Sequence, residues 1–163
     1  MRCWVLFVGL MGLAACGPSR VPLADTRESA AAVAQAVVDA MTAGDHAALT
    51  SLVLSEQEFR DHVWPELPSA RPERNLPFSY VWGDLHQKSD ESLRALLATH
   101  RGQRYSLVAV RFGDQTPYQT YTVHRASTFV VRDAGDQELE LRLCGSMIEQ
   151  GGRWKVFSYV VND

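Results

Sequence analysis

The chain has 163 residues, 46% of them hydrophobic, and a formal net charge of −3. A chain of this length builds one core and not two. Its charges of both signs are interspersed, so no basic field exists to gather phosphates, and nucleic acid is excluded as a partner.

The chain opens MRCWVLFVGLMGLAACGPSR. Arg2 supplies one positive charge, and Cys3 to Ala15 form an uncharged, largely apolar run of 13 residues. A membrane span needs about 20 such residues, so the run has the shape of a cleavable secretory signal instead. The following GPSRVPLAD holds two prolines, a glycine and a serine, the composition of an extended tether. Leu13-Ala14-Ala15-Cys16 resembles the lipobox of bacterial lipoproteins. The resemblance implies cleavage between Ala15 and Cys16, a diacylglycerol on the Cys16 thiol and an acylated amino group. Each buried methylene contributes about 0.8 kcal/mol, so several acyl chains hold durably. The alternative is an ordinary signal cut near Ala15 that leaves Cys16 a free thiol. Gly17 stands where some inner-membrane lipoproteins of Gram-negative bacteria carry aspartate, which implies the outer membrane, facing the periplasm, in a Gram-negative source. The expected division is 1–15 signal peptide, 16–25 tether and 26–163 a single domain. Cys144 is then the one cysteine of the body, without a disulfide partner, and reads as a small buried apolar residue.

A first helix is predicted over 26–43, capped by Asp25 or Thr26 with Glu28 as the capping-box acid, and stopped by Gly44. Val33, Val37 and Met41 mark its apolar face. Asp45 caps a short second helix holding Leu49, Leu52 and Val53. In LSEQEFRDHVW, Ser55 and Glu58 form an S-x-x-E capping box, and Leu54 and Phe59 a hydrophobic staple. That helix is predicted to bury Phe59, Val63 and Trp64 and to stop at Pro65. Four prolines fall in residues 65–77, which excludes regular helix and predicts an extended loop. Residues 78–102 read as helix, continuous or broken near Gly83, with Leu85, Ser89, Leu93 and Leu96 on one stripe and Gly102 as its C-cap. RYSLVAVRF, YQTYTVHRASTFVVRD, QELELRLCGSMIEQ and RWKVFSYVV follow as β-rich runs, with turn signals at Gly113-Asp114, at 134–136 and at Gly151-Gly152. Four long strands in an antiparallel meander are predicted.

Helices first and a four-stranded antiparallel sheet after them make an α+β pattern. AVAQAVVDAMTAGDHAAL is similar to the first helix, GD turn and second helix of NTF2-like domains, a superfamily that includes the nuclear transport factor, SnoaL-like cyclases and ketosteroid isomerases. The resemblance covers residues 26–161 in element order and implies N-terminal helices packed on a curved sheet, a cone with a cavity inside. The helix at 55–64 and the proline segment depart from it. No aspartate here matches the isomerase base, so the activity is not carried over.

Tyr121, Val123, Phe129 and Val131 alternate, which places Arg125 and Ser127 on the same side. Arg125 could there bind a carboxylate or phosphate through its planar fork. A bulge near Ala126 that turns Arg125 to solvent is the favoured alternative, because a buried arginine needs a partner. Trp64, Phe78, Tyr80 and Trp82 flank the proline segment: a pocket lip or partner surface, or rings that close the open end of the core. Arg71, Glu73 and Arg74 are expected in solvent, or paired with Glu66 or Asp84. His46, His62, His86, His100 and His124 form no HxH or HExxH pattern, so surface histidines and no metal site are expected. No GxSxG and no phosphate-cradling glycine loop occurs, and no cofactor is expected. Isomerase chemistry needs a carboxylate held neutral in an apolar cavity beside a donor. Asp84 with Tyr80 or Tyr121 is the candidate set.

Three readings follow. The leading one is a lipid-anchored envelope protein that binds a small ligand or a partner protein without catalysis, with Trp64, Tyr80, Trp82, Tyr121 and Arg125 as contacts. The second is a small-molecule isomerase or cyclase built on Asp84. The third is an assembly or stabilising subunit of an envelope complex, with two copies pairing through the sheet.

Overall fold

A computed structural model describes residues 22–161. Ala15, Cys16 and the first part of the tether lie outside the described residues. Within them the domain is α+β, with helices before strands as expected.

Helix α1 (Ala30–Ala43) buries Val33, Ala34, Val37, Val38 and Met41. It starts four residues later than predicted, capped by the Ser29 side chain, which accepts from the Ala32 N–H at 3.1 Å. The cause lies far along the chain. Arg27 exchanges two backbone hydrogen bonds of 2.8 Å with Trp154, so residues around it are held extended against the last strand. Gly44 ends the helix at φ 68°, donating to Ala40 O and Met41 O, a conformation glycine adopts without a Cβ clash. Asp45 caps α2 (His46–Leu52), its carboxylate accepting from Ala48 N at 3.0 Å.

The Ser55–Glu58 capping box forms and opens α3 (Glu56–Glu58). The chain then widens into a π turn over Phe59–Val63 and tightens into a 3-10 turn over Trp64–Glu66. The proline segment is a chain of such turns and not an extended loop. Pro65, Pro68 and Pro72 each sit at the start of one, where a missing N–H costs nothing and the fixed φ suits the turn. Helix α4 (Phe78–His100) runs unbroken through Gly83 and caps at Arg101.

The β-rich runs form an antiparallel meander of four passes; the second and third predicted runs break in the middle, and the first continues past its predicted turn as a further strand. The passes are β1 (Ser106–Arg111) and β2 (Asp114–Pro117), β3 (Thr122–Arg125) and β4 (Thr128–Arg132), and β5 (Glu138–Leu141) and β6 (Ser146–Gln150); β7 (Arg153–Ser158) is continuous. They sort into two antiparallel sheets, β1-β4-β5 and β2-β3-β6-β7, in place of the single expected sheet. Ala126, at φ 50°, marks the break in the second strand. Gly113 lies at the break of the first, so the predicted turn there is a kink. The true reversal is at Gln119-Thr120, whose N–H groups the Glu66 carboxylate binds at 2.6 and 3.2 Å.

The breaks divide the interior. Phe129, Val131, Leu143, Met147 and Val156 pack with α1 and Leu93, whereas Tyr121, Val123 and Ile148 pack with Leu54, Phe59 and Val63. Met147 and Ile148 are both buried, so β6 is covered on each face. The free side of β7 is closed by Arg27 and by Val53, each bridged to it, which leaves little open edge there for another chain.

Candidate functional site

Between the kinked strands, α4 and the π turn lies a cleft of about 640 Å³. Its walls are apolar where Phe59, Val81, Leu85, Val123 and Phe157 meet. Val81, Leu85 and Lys88 stand at i, i+4 and i+7 on α4 and so share a face. Lys88, Arg125 and Arg142 also line the cleft, with Asp84 as its one carboxylate among the described residues.

Arg125 combines both sequence expectations. The kink at Ala126 is present and Arg125 is exposed, yet its side chain still lines the cleft beside Val123 and Ser127. Asp84 is half-exposed and bonded to Lys88 Nζ at 2.8 Å, an i, i+4 pair at the surface. The Lys88 ammonium is held above its usual range by that carboxylate. Asp84 therefore lacks the apolar enclosure that would keep an acid neutral.

The aromatic candidates do not gather around the cleft. Trp64 packs edge-on against Phe78 at 5.6 Å, and Trp82 lies against Phe59 and His86, both at 5.3 Å. Tyr80 is 66% exposed. Tyr121 is buried, its hydroxyl donating to Val63 O at 3.3 Å; burial, with Tyr118 and Glu66 nearby, holds it far above the usual phenol range. Tyr118, stacked on Tyr121 at 4.6 Å, is the tyrosine of this pair that reaches the cleft wall. Arg71, Glu73 and Arg74 are exposed, and Glu66 binds the β2–β3 turn in place of either arginine.

Among the histidines, His62 departs from expectation: it is 4% exposed, on the inner side of the π turn. His124 lies between Phe112 and Trp154, at 5.1 and 4.5 Å, and burial lowers its pKa. Among the described residues, no group of three His, Cys, Asp or Glu side chains is placed to hold a metal ion. Cys144 is fully buried, as expected, and burial pushes its thiol up to about 12, which removes the thiolate needed for nucleophilic chemistry. Ser127 donates to the Cys144 carbonyl, so its hydroxyl is occupied.

No protein-family model, curated protein or solved structure matches this chain.

A second polar feature escaped the sequence reading. Glu58 and Lys155 form a buried ion pair, Nζ to Oε1 2.9 Å and to Oε2 3.0 Å. Lys155 also donates to Ala24 O at 2.8 Å, and Ala24 N donates to Glu58 Oε1 at 2.7 Å. Ser55 adds its N–H at 2.8 Å and its hydroxyl at 2.9 Å to Glu58 Oε2. Burial alone would raise the Glu58 pKa, but the Ser55 N–H, Lys155 and the Ala24 N–H together hold it below the usual carboxylate range. Lys155 alternates with Phe157 on one face of β7, a lysine in register with a core phenylalanine, and that parity was the available signal. Of the described helices, none is long and apolar enough to cross a membrane.

Proposed function

We propose that this chain is a lipid-anchored protein of the bacterial cell envelope, held by an acylated Cys16, whose NTF2-like cone binds a small molecule without transforming it. In a Gram-negative cell the anchor places it at the outer membrane, facing the periplasm. The anchor is supported by the LAAC motif behind a short apolar run. The cone is supported by the Gly44-Asp45 turn between α1 and α2 and by the kinked meander that bends around the helices.

The observation that carries binding is the cleft itself. Its volume of about 640 Å³ lies within the range of about 300–1,000 Å³ typical of small-molecule sites, and it joins apolar walls to an end lined by charged groups and hydroxyls. Isomerase or cyclase chemistry is the weaker reading, because Asp84 is exposed and ion-paired where that chemistry needs an enclosed acid. Leu76 and Tyr80, 40% and 66% exposed, favour a second binding role, contact with an envelope protein at the end of the proline segment.

The test is native mass spectrometry of the full chain purified from its own envelope. A small molecule at one per chain is expected, lost on replacing Leu85→Trp, which fills the cleft; Val81→Trp serves as the second variant should the first fail to fold. A stoichiometric protein with no small molecule would turn the assignment to the Leu76–Tyr80 surface. Separately, Cys16→Ser is expected to abolish incorporation of a fatty-acid probe, and unchanged labelling would overturn the anchor.

A further inference from the structure

Of the described residues that line the cleft, Lys88, Arg125 and Arg142 are cations and Asp84 is the one carboxylate, in a chain of net −3. General composition does not account for that sign. Lys88 is committed to Asp84. The Arg125 guanidinium has no hydrogen bond or ion pair to another side chain among the described residues, even though Asp114 is its direct neighbour across β2 and β3. Asp114 does not line the cleft.

The register adds donors beside Arg125. Across β3, β6 and β7, Arg125 stands opposite Ser146, and Ser146 opposite Ser158. Directly opposed residues share a sheet face, with Cβ atoms about 4.5–5.5 Å apart. The row Arg125-Ser146-Ser158 therefore presents one guanidinium and two hydroxyls to the same space, the hydroxyl oxygens lying 3.4 Å apart. All three line the cleft. One strand pair further along the same face the wall turns apolar with Val123, and across from it stand Phe59, Val81 and Leu85. The site is polar at the kink and greasy towards α4.

We propose that the cleft takes an amphipathic anion: a carboxylate or phosphate head seated on Arg125, Ser146 and Ser158, with an apolar body along Phe59, Val81, Leu85 and Val123. This rests on the small-molecule reading above and goes further by naming the class. A planar guanidinium pairs bidentately with either head, and the hydroxyls supply the remaining donors. A neutral apolar ligand gains nothing from this row and leaves it solvated.

The probe is 11-(dansylamino)undecanoic acid, titrated against the full chain in nanodiscs, with empty nanodiscs subtracted and its methyl ester as the neutral analogue. Saturable one-to-one binding of the acid is expected, at least tenfold tighter than that of the ester. Arg125→Met is expected to erase this preference by weakening the acid alone, and Arg125→Lys to restore part of it. Competition by dodecanoate and by dodecyl phosphate reports which head the row prefers. Equal binding of acid and ester, unmoved by Arg125→Met, would overturn the anionic assignment and leave small-molecule binding standing. Saturable binding of neither probe, with no small molecule in the native mass spectrum, would sink both.

Discussion

Replacing Lys155 by methionine is expected to destabilise the domain by about 3–5 kcal/mol, because it leaves the Glu58 carboxylate buried with no counter-charge. Urea melts should show a lower midpoint at an unchanged slope, the sign of lost stability without a change in compactness. The double variant Glu58→Leu/Lys155→Met is expected to recover part of that loss. Recovery stays incomplete, since the Ala24 N–H and C=O and the Ser55 cap lose their partners along with the charges. The pH dependence has a definite sign. Glu58 titrates below its ordinary value of 4.5 in the folded protein, so on acidification the unfolded chain takes up the proton first. Its contribution is complete above that ordinary value and disappears as the pH falls through the lowered folded one. Without Lys155 the burial that raises the Glu58 pKa has less opposing it, so the deficit of Lys155→Met should narrow towards acid pH. A loss under about 1 kcal/mol at pH 7 would show that the pair is no better than a surface contact.

Gly145→Ala is expected to cost about 3 kcal/mol, the upper end for overpacking a filled interior. A Cβ there would stand 1.7 Å from Val160 O and 2.7 Å from the carbonyl carbon of the same residue. Neither can swing aside as a side chain would. The backbone there, in the break between β5 and β6, is also pinned on both sides, Gly145 N donating to Ser158 O at 3.0 Å and its O accepting from Ser127 N at 3.3 Å. Because Gly145 and Val160 both line the cleft, probe binding should fall with stability. Gly83→Ala is the control: a Cβ there meets nothing within 4 Å, and in a helix interior it should stabilise by about 0.5–1 kcal/mol. Thermal melts that fail to separate the two variants would contradict the packing at the kink.

What could be read in advance was local. The Ser55–Glu58 box and the Gly44 stop each involve residues within a few positions of one another, and each is found, whereas the alternation from Tyr121 to Val131 is interrupted, Tyr121 and Val123 packing in one cluster and Phe129 and Val131 in the other. What could not be read was decided by partners far away. The start of α1 moved because Trp154 claims the Arg27 backbone. The reversal after β2 moved because Glu66 binds it from 53 residues upstream. Alternation put Arg125 on the correct side of its strand, but whether that side was interior or cleft depended on a kink that one residue at positive φ creates. Asp84 was nominated for its aromatic neighbours in sequence; four residues on, Lys88 takes its carboxylate instead. His62 is a miss of another kind: it stands three residues after Phe59 and beside Val63, on the stripe that buries both, so helical spacing carried the signal and the histidine's polarity masked it.

The clasp formed by Glu58, Lys155 and the Ala24 backbone sets a leash. Under the proposed Cys16 anchor, eight peptide steps separate the lipid-bearing residue from Ala24, a span of at most about 29 Å for a fully extended chain. The domain would ride within about one domain diameter of the bilayer. A pull from the membrane would enter the protein at Ala24 and pass to β7 through Lys155 and the Arg27–Trp154 bridge. The Lys88 and Arg125 walls of the cleft stand on α4 and β3, but Phe157 and Ser158 line it from β7, so such a load would reach one wall of the cleft directly.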